Sequence, residues 1–179
     1  SYTNHSPYIL VQKQPCSFVQ RHTDQSSSIM ACMAPAAELL ASLGAGLPAT
    51  RDLTSTAEAE QILKLSTAIV DNGDVASVSG FANDHPELPA LLLAACKNAE
   101  SVAALQECPP CHLTVVFPMY HEQNRARSKS EHENGQDFVR VKCKQLEWLF
   151  GASPESSWDL VAVDDGCDQG SREVVEAII

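Results

Sequence analysis

The chain has 179 residues, 44% apolar and 20% charged, the balance of a folded globular protein and not of a disordered tail. Its 23 acidic residues outweigh 12 basic ones to give a formal charge of −11, which leaves no electrostatic footprint for a nucleic-acid backbone and disfavours an anionic membrane surface. No apolar run approaches the roughly 18 residues of a transmembrane segment, and the length suits one domain or slightly more.

In chain order, residues 1–27 read as an extended N-terminal arm, polar and irregular, in which Tyr8-Ile-Leu-Val11 and Phe18-Val19 are the stretches able to dock as a strand. No basic-then-apolar leader pattern opens it. Residues 28–107 read as a helical segment of about three helices. The first starts near Pro35, which suits a first turn, and stops at Gly44. The second has the clearest start in the chain: Ser55-Thr-Ala-Glu58 fits a capping box, helically spaced Ile62, Leu63, Leu65, Ile69 and Val70 follow, and Asp71-Asn72-Gly73 closes it. The third is expected from about Pro86 to Gln106, capped by Asn83 or Asp84.

At Cys108-Pro-Pro-Cys111 the helical pattern breaks and residues 108–179 take up an α/β pattern. Cys108-Pro-Pro-Cys111-His112 has the spacing of a haem attachment motif, but nothing nearby supplies a convincing second axial ligand, and His112 would lead directly into a buried strand. A thioredoxin-type site would follow a strand, whereas this motif precedes one, so a rigid linker is the preferred reading. Leu113 to Phe117 is a continuous apolar run, expected to be a strand covered on both faces. Residues 121–136 look like a long exposed loop, and Gln136 to Phe150 an amphipathic helix ending at Gly151. A second strand runs from Asp159 to Val163, and a helix starts at Ser171. The order β-α-β-α predicts a partial doubly wound parallel sheet. Seven cysteines, with Cys32, Cys96 and Cys143 inside apolar helical stretches, favour a reducing intracellular compartment.

The candidate site lies where the two strands end. In an open parallel sheet, ligands bind beyond the carboxyl ends of the strands. The second strand ends in Asp164 and Asp165, followed by Gly166 and by Gly170-Ser171 at a helix start. The first ends in Pro118-Met-Tyr-His-Glu122, which sets Tyr120 and Glu122 at the same sheet edge. Adjacent acids at a buried strand end are costly unless something pairs with them; the competing reading is a solvated turn. An aromatic ring to stack on a base, with a carboxylate to accept its N–H groups, outlines a nucleotide pocket. No zincin helix, nucleophile elbow, phosphate-binding P-loop or dinucleotide glycine motif is present.

These two segments, Val115-Val-Phe-Pro-Met-Tyr-His-Glu122 and Leu160-Val-Ala-Val-Asp-Asp-Gly-Cys-Asp-Gln-Gly-Ser171, resemble the opening of family-2-type glycosyltransferases of the A fold. That family opens with a strand ending Pro-x-Tyr-Asn-Glu and a second ending Val-Asp-Asp-Gly-Ser-x-Asp-Gly-Ser. The resemblance spans about residues 112–179. It departs at His121 in place of Asn, at Cys167 in place of Ser, and at Gln169, which stands between Asp168 and Gly170. It implies that Pro118, Tyr120 and Glu122 lie along a nucleotide-sugar site and that Asp164 or Asp165 contacts the base of a donor such as a UDP-sugar. The implied chemistry is displacement at the anomeric carbon with inversion. The implied divalent metal (Mg or Mn) would be held by a later Asp-x-Asp motif, and a later acid would serve as general base; neither is in the 179 residues. The expectation is therefore the N-terminal portion of a nucleotide-sugar-dependent glycosyltransferase carrying the base-binding half of the donor site. Any activity would then depend on sequence beyond Ile179. The alternative is a non-catalytic structural or accessory subunit of a larger assembly, with other protein subunits as partners.

Overall fold

Helix boundaries in the computed structural model follow from local capping chemistry. The model describes residues 8–12 (by their backbone), 36–52 and 54–178. Helix α1 spans Ala36–Gly44, and the expected Pro35 start lies outside the described residues. Helix α2, Thr56–Asn72, starts where Ser55 accepts the Glu58 N–H at 3.2 Å and ends at Gly73, whose N–H donates to the Ile69 carbonyl. The reciprocal half of the capping box is redirected. Glu58 Oε2 accepts the N–H of Asp52 at 2.7 Å instead of that of Ser55, tying the preceding turn to the helix.

One helix was not anticipated. Gly73-Asp74 acts as stop and start at once: Asp74 caps α3, Val75–Asp84, by accepting the Ala76 N–H. Gly80 in its middle dilutes the helical signal. The next helix, α4, runs Ala90–Glu107 and does not begin at Pro86 as the sequence reading expected. Pro89 disfavours helical backbone at Leu88, so the regular turns wait until Ala90. Four described helices therefore stand where about three were expected. Leu91, Leu92, Ala95, Cys96, Ala99 and Val102 form the buried stripe of α4, and most of them share one core with Leu40, Ile69, Val78 and Ala82.

Among the described residues, three strands make the sheet: β1, Tyr8–Gln12; β2, His112–Met119; and β3, Ser157–Asp164. Their order is β1-β3-β2, with β2 parallel and β1 antiparallel to the central β3. The N-terminal segment Tyr8–Val11 thus docks as a strand. Between β2 and β3 lie the short helix α5, Gln123–Ala126, and α6, Phe138–Gly151; α7, Ser171–Ile178, follows β3. The parallel crossover of an α/β fold is present. The doubly wound arrangement is not seen among the described residues, because α5, α6 and α7 all pack on one sheet face. There Trp158, Leu160, Ala162 and Met119 meet Ala126, Val139, Leu146, Phe150 and Val175.

The opposite face carries His112, Thr114, Val116 and Pro118 of β2, all exposed. The expectation that β2 is covered on both faces is therefore overturned: Val116 is 60% exposed and even Leu113, on the helix side, is 41% exposed. At the strand starts, His112 bridges the sheet, its Nδ1 2.8 Å from Ser157 Oγ and its Nε2 2.9 Å from Asp159 Oδ2. This Ser-His-Asp grouping sits on a flat open face, and its geometry is that of a cross-strand clamp.

The helical segment packs on the outside of α6 and forms a third layer. Glu60 pairs with Lys144 at 2.7 Å, and Trp148 Nε1 donates to Thr67 Oγ1 at 2.9 Å. The expected long exposed loop at 121–136 is mostly turns and coil with many exposed residues, but it contains the short helix α5 and a buried turn. Gly135 is buried so tightly that a Cβ there would lie 2.1 Å from the Ser128 carbonyl oxygen. Among the described residues, no helix is long and apolar enough to cross a membrane.

Candidate functional site

The parallel register sets the C-terminal ends of β2 and β3 side by side, with Met119 opposite Asp164. One further bond extends the pairing beyond the strands, the Asp165 N–H donating to the Met119 carbonyl at 3.1 Å. The chain then leaves β3 through a tight turn. Asp164 Oδ1 accepts the Cys167 N–H at 3.1 Å, and Gly166 (φ 75°) and Gly170 (φ 77°) supply the left-handed backbone the turn requires. On the β2 side, His121 also has a left-handed backbone, at φ 56°. Asn and His are among the side-chain-bearing residues that tolerate this region best, so His121 suits the backbone geometry of this turn.

Ser171, absent from the predicted site, joins the two loops. It is fully buried; its Oγ accepts the Glu122 N–H at 2.9 Å, and its hydroxyl donates to Gln123 Oε1 at 3.2 Å. Gln123 Nε2 in turn donates to Gln169 Oε1 at 3.1 Å, and His121 Nε2 lies 3.6 Å from Asp168 Oδ1. The signal in the sequence was Gly170-Ser171 at a helix start after a strand. It marks the serine as a helix opener but not as a link to a residue 49 positions earlier. Cys167 belongs to the same network, its Sγ 3.1 Å from Ser171 Oγ. The Ser171 hydroxyl, aided by the N–H groups of Gln169, Ser171 and His121, holds the Cys167 thiol below its ordinary range. Burial does the opposite at Cys96, pushed up to about 11.

The five predicted residues fall into two groups. Tyr120, Asp164 and Asp165 stand on the crest of the sheet. Tyr120 is 58% exposed, and its ring stacks on that of His121 with centroids 4.0 Å apart and planes 21° from parallel. Asp165 is exposed, whereas Asp164 is half-buried and engaged by Cys167. Pro118 and Glu122 instead help line a cavity of about 250 Å³ beside β2, α5 and the start of α6. There both carboxylate oxygens of Glu122 accept from Arg125 Nη1, at 2.9 and 3.0 Å. Phe117 meets Phe138 edge-on at 5.7 Å, and the Arg125 guanidinium lies 5.8 Å from the Phe138 ring centre.

Among the described residues, no three His, Cys, Asp or Glu side chains converge to hold a metal ion, and Asp164 already serves a backbone donor. What the crest offers chemically is a flat aromatic surface beside an exposed carboxylate, above a turn braced by Ser171. No family model matches the chain, and no curated protein and no solved structure matches it.

Proposed function

We propose that the crest formed by Tyr120, Asp164 and Asp165 binds the base of a nucleotide-sugar donor, and that the chain is the N-terminal portion of a nucleotide-sugar-dependent glycosyltransferase. The observation that carries this reading is the juxtaposition of the two motif-bearing strand ends. They run parallel and adjacent, and their pairing is extended by the Asp165–Met119 bond. A base stacked on the Tyr120 ring would gain about 1–3 kcal/mol, the range for base–aromatic stacking. The Asp165 carboxylate would accept the imide N–H of uracil. His121 braces the tyrosine from behind, and Ser171 holds the His121–Glu122 turn in place. These residues bind and orient; no bond-making step is assigned to them.

Calorimetric titration of UDP in the presence of Mn²⁺, with uridine as a base-only probe, tests the reading. The expected result is weak saturable binding of both ligands to the intact chain, lost in a Tyr120→Ala, Asp165→Ala variant of unchanged circular dichroism. Equal titrations for the two proteins would eliminate the pocket.

A further inference from the structure

The sheet order leaves β2 at an edge, and among the described residues nothing pairs with its outer side. Which backbone groups face outward follows from two hydrogen bonds. Ser157 donates to the Cys111 carbonyl at 2.9 Å and Asp165 to the Met119 carbonyl at 3.1 Å, so the odd-numbered peptide groups of β2 point toward β3. Strand peptides reverse direction at each residue, which turns the N–H and C=O of Thr114 and Val116 outward, together with the carbonyl of Pro118. Pro118 fits this assignment, since proline in a sheet belongs on an edge with its missing donor facing out.

Directly beside this edge, on the helix-covered side, opens the cavity lined by Val115, Phe117, Phe138, Glu122, Arg125 and Lys142. A strand laid along β2 would send every second side chain into it. The chemistry of the walls is specific. The Phe117–Phe138 pair gives an apolar floor, and Glu122 neutralises Arg125. Among the described residues, Lys142 has the neutral Gln145 amide as its one hydrogen-bond partner, at 2.9 Å. The cavity thus carries a net positive charge in a chain whose formal charge is −11.

We propose that the outer edge of β2 accepts an extended acidic peptide segment as an added strand, its backbone pairing with Thr114 and Val116 and its carboxylate side chain entering the cavity at Lys142. An aromatic or branched side chain two positions away packs on Phe117 and Phe138. Main-chain pairing supplies affinity and the cavity supplies selection, the division of labour seen whenever a peptide extends a sheet. The inference is independent of nucleotide binding, because Thr114, Val116 and Lys142 lie outside the crest.

The probe is a fluorescein-labelled peptide, Val-Thr-Phe-Thr-Glu-Thr-Val, titrated against the full chain by anisotropy, with amide exchange followed at Thr114 and Val116. Saturable binding is expected, with exchange at those two amides slowed roughly tenfold in the complex. Lys142→Glu, on the exposed side of α6, should weaken binding roughly fivefold or more, as should lysine in place of the peptide's glutamate. Alternating proline in the peptide should abolish it. Absence of saturable binding, or binding indifferent to Lys142→Glu, overturns the proposal. Protection of Thr114 and Val116 in the free monomer would show the edge already covered by the chain's own residues. Protection that rises with protein concentration would show a second copy there. Either result also overturns it.

Discussion

Strands β2 and β3 look alike in sequence, each a run of branched apolar residues ending in polar ones, yet they occupy opposite environments. In β3, Leu160 and Ala162 are wholly buried and Trp158 nearly so; in β2, Val116 is 60% exposed and only Met119 is fully buried. The difference is positional. β3 lies between two strands and beneath α6, whereas among the described residues β2 has a neighbour on one side only. A continuous apolar run therefore announces a strand but not its place in the sheet. The same run also serves two purposes: in β3 it anchors the core, and in β2 it leaves an edge open beside a charged cavity.

The contrast makes measurable demands. Leu160→Ala should lower the unfolding free energy by about 2–5 kcal/mol in urea titration, the range for emptying a packed leucine site. A loss below about 1 kcal/mol would mean that β3 is not the buried centre. Ser171→Ala should cost about 1–3 kcal/mol, because it strands the part-buried Glu122 N–H. Its signature is faster amide exchange at Glu122 and Gln123, with the core of β3 unaffected; uniform destabilisation would argue against a local brace.

Thiol labelling reads the same turn more gently. With its folded-state pKa depressed, Cys167 keeps a thiolate fraction as pH falls below the ordinary thiol range, whereas Cys96, raised to about 11, stays protonated through neutrality. Iodoacetamide with mass-spectrometric readout at neutral pH should modify Cys167 well before Cys96, and Ser171→Ala should slow the Cys167 reaction. The smallest effect is expected at the edge: Val116→Thr should shift stability by no more than about 0.5 kcal/mol. A larger loss would show that something covers β2.

Local chemistry explains most of what could be read without coordinates. Ser55 capping α2, Gly73 ending it, Cys108-Pro-Pro-Cys111 separating helix from strand, and Ser171 opening α7 are decided by neighbours a few residues away. Where two such signals overlap, residue type alone misplaces the element. Gly73-Asp74 concealed α3, and Pro86 and Pro89 competed for the start of α4. The turn around Gly135 is illegible in residue type, because its close backbone approach to Ser128 has no signature there.

The amino-acid order alone was enough to establish an acidic α/β chain with a helical segment before it and polar residues gathered at two strand ends, since composition, periodicity and capping act over short range. Long-range contacts made the remaining decisions. Parallel pairing set Met119 against Asp164 and brought the two motifs together. Ser171 tied the turns across 49 residues, and Arg125 drew Glu122 away from the crest into the cavity beside β2. Which strand is buried, which edge is open and which carboxylates stay on the crest depend on contacts between residues far apart in the chain, and only the folded packing specifies them.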